Sequence, residues 1–171
     1  MSSRAVLAIG ANIGDRLAAL QGAIDLLASS DGVRVGAVSY VYETDPVGGP
    51  DQDDFLNAVL LVDTDLDPGD LLAACQAVEH AWHRTRDVRW GPRTLDIDII
   101  AFDEVVSDDP DLTLPHPRAA QRAFVCIPWL DADPEARLPI EGPVAQLLAH
   151  LDTEGVRRRS DLQLVVPGAV R

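Results

Sequence analysis

Residues 94–99, Thr-Leu-Asp-Ile-Asp-Ile, set two carboxylates, Asp96 and Asp98, at alternate positions of a run that otherwise reads as an apolar strand. Side chains at i and i+2 of a strand share one face and stand roughly 6.5–7 Å apart along it. Acids that close repel each other unless a cation sits nearby. One or two carboxylates, completed by water and phosphate oxygens, suit Mg²⁺. A plain solvated strand face fits the spacing equally well, so spacing alone leaves the two readings level.

The neighbouring segment shifts the balance towards a metal. Arg84, Arg86, Arg89 and Arg93 crowd a short stretch of a chain that contains no lysine. Guanidinium forks onto phosphate or carboxylate oxygens, and a divalent cation beside guanidinium is the usual equipment of phosphoryl transfer. Trp90-Gly91-Pro92 reads as a rigid turn leading to Arg93 and the aspartates. On another apolar run, Phe55-Leu-Asn-Ala-Val-Leu-Leu-Val62, Phe55 and Asn57 share the face opposite Leu56, Ala58, Leu60 and Val62. A ring and an amide there could meet a flat ligand. The long stretch 43–54 before it is where substrate contacts tend to sit.

Other polar residues have plainer readings. His80 and His83 lie one helical turn apart but not in the H-E-x-x-H order, and read as a solvated helix face. His116, flanked by prolines, is by default a capping or packed histidine, with an anion contact as the sharper alternative. Gly10–Asp15, "GANIGD", lacks the spacing of a dinucleotide or P-loop motif and reads as a tight turn. Cys75 and Cys126 lie inside apolar runs and read as buried reduced thiols.

These residues need elements to hold them. Residues 4–9 read as a strand ending at Gly10. A helix follows from Asp15, with Leu17, Leu20, Ile24 and Leu27 on one face and Gly32 after it. Residues 33–42 and 55–62 read as strands. Asp67-Pro68 is a good helix start, with Leu71, Cys75, Val78 and Trp82 on its apolar face. Residues 94–102 make the fourth strand. The order strand-helix-strand-strand-helix-strand gives an α+β, ferredoxin-like antiparallel sheet with both helices on one face. Phe55, Asn57, Asp96 and Asp98 then fall on the uncovered face. The remainder reads as an elaboration, with a helix near 143–151 and a short strand at 162–166, so 1–171 is expected to form a single domain.

The chain has 171 residues and a net charge of −14 at pH 7. Such a charge opposes binding to nucleic acid or to an anionic membrane. No apolar run nears the ~20 residues of a membrane span, and the N-terminal apolar stretch is short for a signal peptide, so the expected location is the cytoplasm. The expected state is a monomer.

Taken together, "RWGPRTLDIDII" resembles the signature of the 6-hydroxymethyl-7,8-dihydropterin pyrophosphokinase family of folate biosynthesis. "AIGANIGD", "YVYETDPVGGPDQDDFLNAVL" and "LTLPHPRAAQRAF" are similar to further segments of that family, in order, from about residue 5 to residue 130. The resemblance implies transfer of pyrophosphate from ATP to the hydroxymethyl group of the dihydropterin, with release of AMP. It implies that Asp96 and Asp98 hold two Mg²⁺ ions and that Arg84 and Arg93 contact the phosphate chain. Gln76, Glu79, Arg86, Arg89, Trp90, Ile99, His116 and Arg122 would surround the nucleotide. Thr44, Phe55, Asn57 and Phe124 would form the pterin pocket, with the pterin between the two rings. The chain departs from the family pattern at Ala11, Asp45, Asp111 and Pro117, and residues 150–171 lie outside the resemblance. The competing readings are another Mg²⁺-dependent nucleotide-using transferase on the same fold, and a non-catalytic ferredoxin-like binding module.

Overall fold

A computed structural model of the chain describes residues 2–45, 54–85 and 95–168, and of 83–85 the backbone alone. The first half runs β1 (Ser3–Ala11), α1 (Arg16–Ala28), β2 (Val33–Val38), β3 (Tyr42–Thr44), β4 (Phe55–Thr64), α2 (Pro68–Thr85) and β5 (Asp96–Phe102). A hairpin of β6 (Ser107–Asp109) and β7 (Leu112–Leu114) follows, then a 3₁₀ turn at Ala119–Gln121 and α3 (Ala123–Ala132). The chain continues through β8 (Arg137–Leu138), β9 (Gly142–Pro143), α4 (Val144–Leu148) and β10 (Val156–Arg158).

β1 is central in the main sheet, antiparallel to β4 on one side and β5 on the other. The far edge of β4 is shared by β2 and β3, and β10 pairs outside β3. With β2 and β3 taken as halves of one edge strand, this is the antiparallel α+β order expected for a ferredoxin-like sheet. The expected single strand over 33–42 is interrupted at Ser39–Val41, where Ser39 Oγ accepts from the Val59 N–H at 2.9 Å.

Both helix starts follow their sequence signals. Asp15 Oδ1 accepts from Ala18 N at 3.0 Å, and Asp67 Oδ1 from Asp70 N at 2.8 Å, so each carboxylate satisfies an orphan N–H of a first turn. Leu20, Ile24 and Leu27 of α1 and Leu71, Cys75, Val78 and Trp82 of α2 are buried against Leu7, Ile9, Leu60 and Ile99 of the sheet. Gly22 gives the Trp82 ring its space, since a side-chain carbon there would overlap the ring.

The opposite face, expected to be uncovered, is instead partly covered. Val6, Val59, Ile100 and Ala101 form a second core there with Val125, Cys126 and Trp129 of α3 and Val144 at the start of α4. A bulge in β5 makes this possible. Leu7 pairs with Ile99 and Val6 with Ala101, so Ile100 has no partner in the register. Ile100 and Ala101 consequently both join the second core, while Ile97 and Ile99 stay in the first. α3 covers only one end of that face and leaves the end carrying Asp96 and Asp98 open.

The C-terminal part also differs from expectation. The helix is shorter, Val144–Leu148, and residues 162–166 form no strand. The added strand lies earlier, at Val156–Arg158. Val165 is tied instead to α1, its N–H and C=O both bonded to the Gln21 side chain. Among the described residues, no helix is long and apolar enough to cross a membrane.

Candidate active site

Register places the site. Gly10 pairs with Asn57 on one side and Asp96 on the other, and Ala8 pairs with Val59 and Asp98. Directly opposed residues of antiparallel strands present their side chains to the same face, so Asn57, Gly10 and Asp96 form one row across three strands. Strand spacing puts the outer two backbones about 10 Å apart. Gly10 belongs to β1 rather than to the turn expected at 10–15. A side-chain carbon on it would stand 2.6 Å from Asn57 Oδ1, so the missing side chain is what lets the amide lie over the row. The positive-φ residue of the turn is Gly14.

A cleft of about 500 Å³ opens over this row. Thr44, Asp45, Phe55 and Asn57 line it from the β3–β4 side, Asp96 and Asp98 from β5, and Ala8 and Gly10 from β1 between them. Arg118, Gln121, Arg122, Phe124 and Val125 line it from the 3₁₀ turn and the start of α3. The expected acceptor residues Thr44, Phe55, Asn57 and Phe124 are therefore brought together with Asp96, Asp98 and Arg122. Asn57 Nδ2 donates to the buried Thr44 Oγ1 at 2.7 Å, which fixes the amide's orientation. The Arg122 guanidinium lies 5.4 Å from the Phe124 ring centroid, within cation–π range.

Around the carboxylates, two groups hold backbone rather than line the cleft. Glu79 Oε2 accepts from the Ile97 N–H at 2.8 Å, between the two aspartates. Burial raises the Glu79 pKa; the Ile97 bond opposes this, and Asp96 and Asp98 push it further up. The His116 backbone N–H donates to the Ile100 carbonyl at 2.9 Å, and its ring Nδ1 accepts from the Arg118 backbone N–H at 3.2 Å. Burial lowers its pKa, Asp98 opposes, and Arg122 and Arg118 lower it further. An accepting Nδ1 makes this the neutral ring with its proton on Nε2.

Two further expected residues do not line the cleft with their side chains. Gln76 is exposed on α2, and the Ile99 side chain lies in the helix-side core, away from the cleft. His80 lies on the solvated helix face expected for it. Arg84 lies in the last turn of α2 with its side chain outside the described residues, as are Arg86, Arg89, Trp90 and Arg93 entirely. Arg118, Gln121, Gly10, Ala8 and Asp45 line the cleft but were not foreseen in it. The spacing of Arg118 and Arg122, four apart just after His116, is the sequence signal that could have found the first of them.

Comparison with known proteins identifies the family. The family model for 7,8-dihydro-6-hydroxymethylpterin-pyrophosphokinase (HPPK) matches residues 6–134. The 2-amino-4-hydroxy-6-hydroxymethyldihydropteridine pyrophosphokinase of Methylorubrum extorquens is 45% identical over 157 residues, 91% of this chain and 98% of that protein. Its namesake in Pseudomonas aeruginosa is 43% identical over 158 residues, covering 92% and 98%, and that of Bacillus subtilis 41% over 157 residues, covering 92% and 90%. Among solved structures, a Plasmodium falciparum HPPK-DHPS variant with SDX-DHP is similar with a TM-score of 0.71 at 15% identity, a likeness of fold over 87% of this chain. This chain spans 45% of that longer one. By the match of most of its length to the family model, and by its identity to relatives of nearly its own length, the chain belongs to the 7,8-dihydro-6-hydroxymethylpterin-pyrophosphokinase family.

Proposed function

We propose that this chain transfers the terminal pyrophosphate of ATP to the hydroxymethyl group of 6-hydroxymethyl-7,8-dihydropterin, releasing AMP, as a step of folate biosynthesis. The observation that carries the reading is the row Asn57–Gly10–Asp96, which joins a pocket for a flat heterocycle to a pair of carboxylates in one cleft.

Each side of the cleft has a task. With one Nδ2 hydrogen held by Thr44, Asn57 presents Oδ1 to accept from, and its second Nδ2 hydrogen to donate to, the amide edge of the pterin. Phe55 and Phe124 supply aromatic faces for the ring. Arg122 and Arg118 stand where guanidinium can meet phosphate oxygens, and Arg84 and Arg93 add to that set on the strength of the family resemblance. The hydroxyl oxygen of the acceptor attacks the β-phosphorus of ATP and gives up its proton to solvent; the bond from that phosphorus to the bridging oxygen of the α-phosphate breaks, and AMP leaves with that oxygen. Such a displacement depends on positioning and charge neutralisation rather than on a covalent intermediate.

Asp96 and Asp98 are both exposed on one face, beside Ala8 and Gly10, whose small size leaves the carboxylates open to the cleft. This hard-oxygen donor set, with room for water and phosphate oxygens, fits Mg²⁺, and we assign two ions to it. Bound Mg²⁺ supplies charge neutralisation at the phosphate oxygens. We assign the enzyme a monomeric state. The second core, joining α3 and α4 to the sheet, supports a single domain. The need for ATP supports a cytoplasmic location.

Purified protein given ATP, Mg²⁺ and the dihydropterin is expected to release AMP in proportion to acceptor. No AMP above the acceptor-free background contradicts the reading. AMP release with an unrelated hydroxyl acceptor but not with the pterin would instead support a different transferase.

A further inference from the structure

The acceptor side of the cleft ends at two acidic residues. Thr44 and Phe55 form the last pair between β3 and β4, and the next residue outward on each strand is Asp45 and Asp54. Like charges at opposed positions destabilise a strand pair. Glu43, one step inward, adds a third acid to the same edge. Arginines from elsewhere in the chain offset all three.

Arg157, on the C-terminal strand β10, divides its guanidinium between the outer two. Nη1 donates to Asp45 Oδ1 at 2.9 Å and Nη2 to Asp54 Oδ2 at 2.9 Å. The backbone supports the same arrangement, because Asp45 N donates to the Gly155 carbonyl at 2.9 Å and extends the β3–β10 pairing by one residue. Gly155 has φ +80, and a side-chain carbon on it would stand 2.6 Å from Asp45 Oδ2. Its neighbour Glu43 is held by Arg16 and Arg159, and Arg16 also donates to the Asp54 carbonyl at 2.9 Å. Asp45 lines the cleft, and it sits directly between Thr44 and the Arg157 contact.

We propose that Arg157 is a positioning residue for the acceptor pocket: by bridging Asp45 and Asp54 it fixes the ends of β3 and β4, and through them Thr44, Phe55 and Asn57. Among the described residues, it is not one of those that line the cleft. A lysine in its place could reach one carboxylate at a time, whereas the guanidinium fork holds both. The pairs are partly exposed, with Arg157 46% accessible, so their effect is screened by salt. Acceptor affinity therefore carries a salt dependence that ATP affinity does not share through this contact.

This inference rests on the pterin pyrophosphokinase reading, and its test separates the two. KM for dihydropterin and for ATP, with kcat, is measured for wild type, Arg157→Ala, Arg157→Lys and Gly155→Ala at low and high salt, alongside thermal melts. Arg157→Ala should raise the acceptor KM about three- to tenfold, the range two exposed ion pairs convert to, with kcat and the ATP KM within about twofold of wild type. Arg157→Lys should recover part of the loss, and Gly155→Ala should reproduce it. The acceptor KM of wild type should rise with salt more steeply than that of Arg157→Ala. An unchanged acceptor KM in Arg157→Ala, or an equal rise in both KM values, overturns the positioning role while the enzymatic reading stands. A wild-type protein without acceptor-dependent AMP release overturns both.

Discussion

Asn57 and Thr44, on adjacent strands, are joined by a 2.7 Å hydrogen bond that orients the Asn57 amide and leaves its carbonyl oxygen and its second amide hydrogen for a ligand. Thr44→Val keeps the shape and removes the acceptor. It should raise the dihydropterin KM about tenfold, the size of a neutral hydrogen bond lost, and leave the ATP KM near wild type. Asn57→Ala removes the ligand contact itself and should cost roughly 10–100-fold in the same constant. Steady-state kinetics with each substrate varied in turn distinguish the two.

Gly10→Ala tests the row from its middle. Gly10 does not have a left-handed backbone conformation, so alanine is conformationally acceptable there and the conflict is with Asn57 Oδ1 alone. The variant should melt near wild type yet lose kcat/KM for the acceptor by about tenfold, the equivalent of one displaced hydrogen bond. If displacement of the amide is the cause, Gly10→Ala added to Asn57→Ala should cost little more than Asn57→Ala alone. Additive losses would place the effect elsewhere.

The carboxylate pair should be needed for turnover rather than for folding, since Asp96 and Asp98 are exposed. Asp98→Asn, nearly isosteric, should cut kcat by about 10²–10³, as expected when a preorganised charged group is lost from an active site. Chelation should abolish wild-type activity and excess Mg²⁺ restore it. Near-normal turnover by Asp98→Asn would return the pair to a merely solvated strand face.

Glu43 supplies a pH test of the strand edge. Its hydrogen bond from Arg16 holds the Glu43 pKa below the ordinary 4.5, against the opposing effect of burial, with Arg159 contributing in the same sense as Arg16. A carboxylate with a lowered folded pKa contributes stability that is present above its unfolded value and is lost as pH falls through the folded one. Glu43→Gln should therefore cost about 1.5–3 kcal/mol at pH 7, as for hydrogen bonds to a charged group. Each kcal/mol corresponds to about 2–4 °C of Tm in a chain this long. The gap between wild type and variant should close in melts taken below the lowered pKa. A gap independent of pH would assign the loss to packing.

The parts of this fold that could be read in the sequence were those with a local signal. Asp67-Pro68 marked a helix start, the 71-75-78-82 stripe marked a buried helix face, and alternation in 94–100 separated Ile97 and Ile99 from Asp96 and Asp98. α3 was missed because Pro128 and an almost uniformly apolar run, "AFVCIPWL", hide any helical period. It is the element that closes one end of the far face and so turns an open sheet into a cleft. β10 was missed because "VRR" is an exposed edge strand whose partner, β3, lies more than 110 residues earlier. Gly10 looked like turn chemistry because a central strand buried on both faces shows no alternation. Its importance comes from cross-strand register with Asn57 and Asp96, which no single stretch of sequence encodes.

The account stands most directly on what leaves ATP. With ATP labelled separately at the β- and γ-phosphates, Mg²⁺ and dihydropterin, both labels should appear together on the pterin, one equivalent of AMP being released per pterin modified. Transfer of the γ-label alone with release of ADP, or no labelled pterin at all, would contradict it.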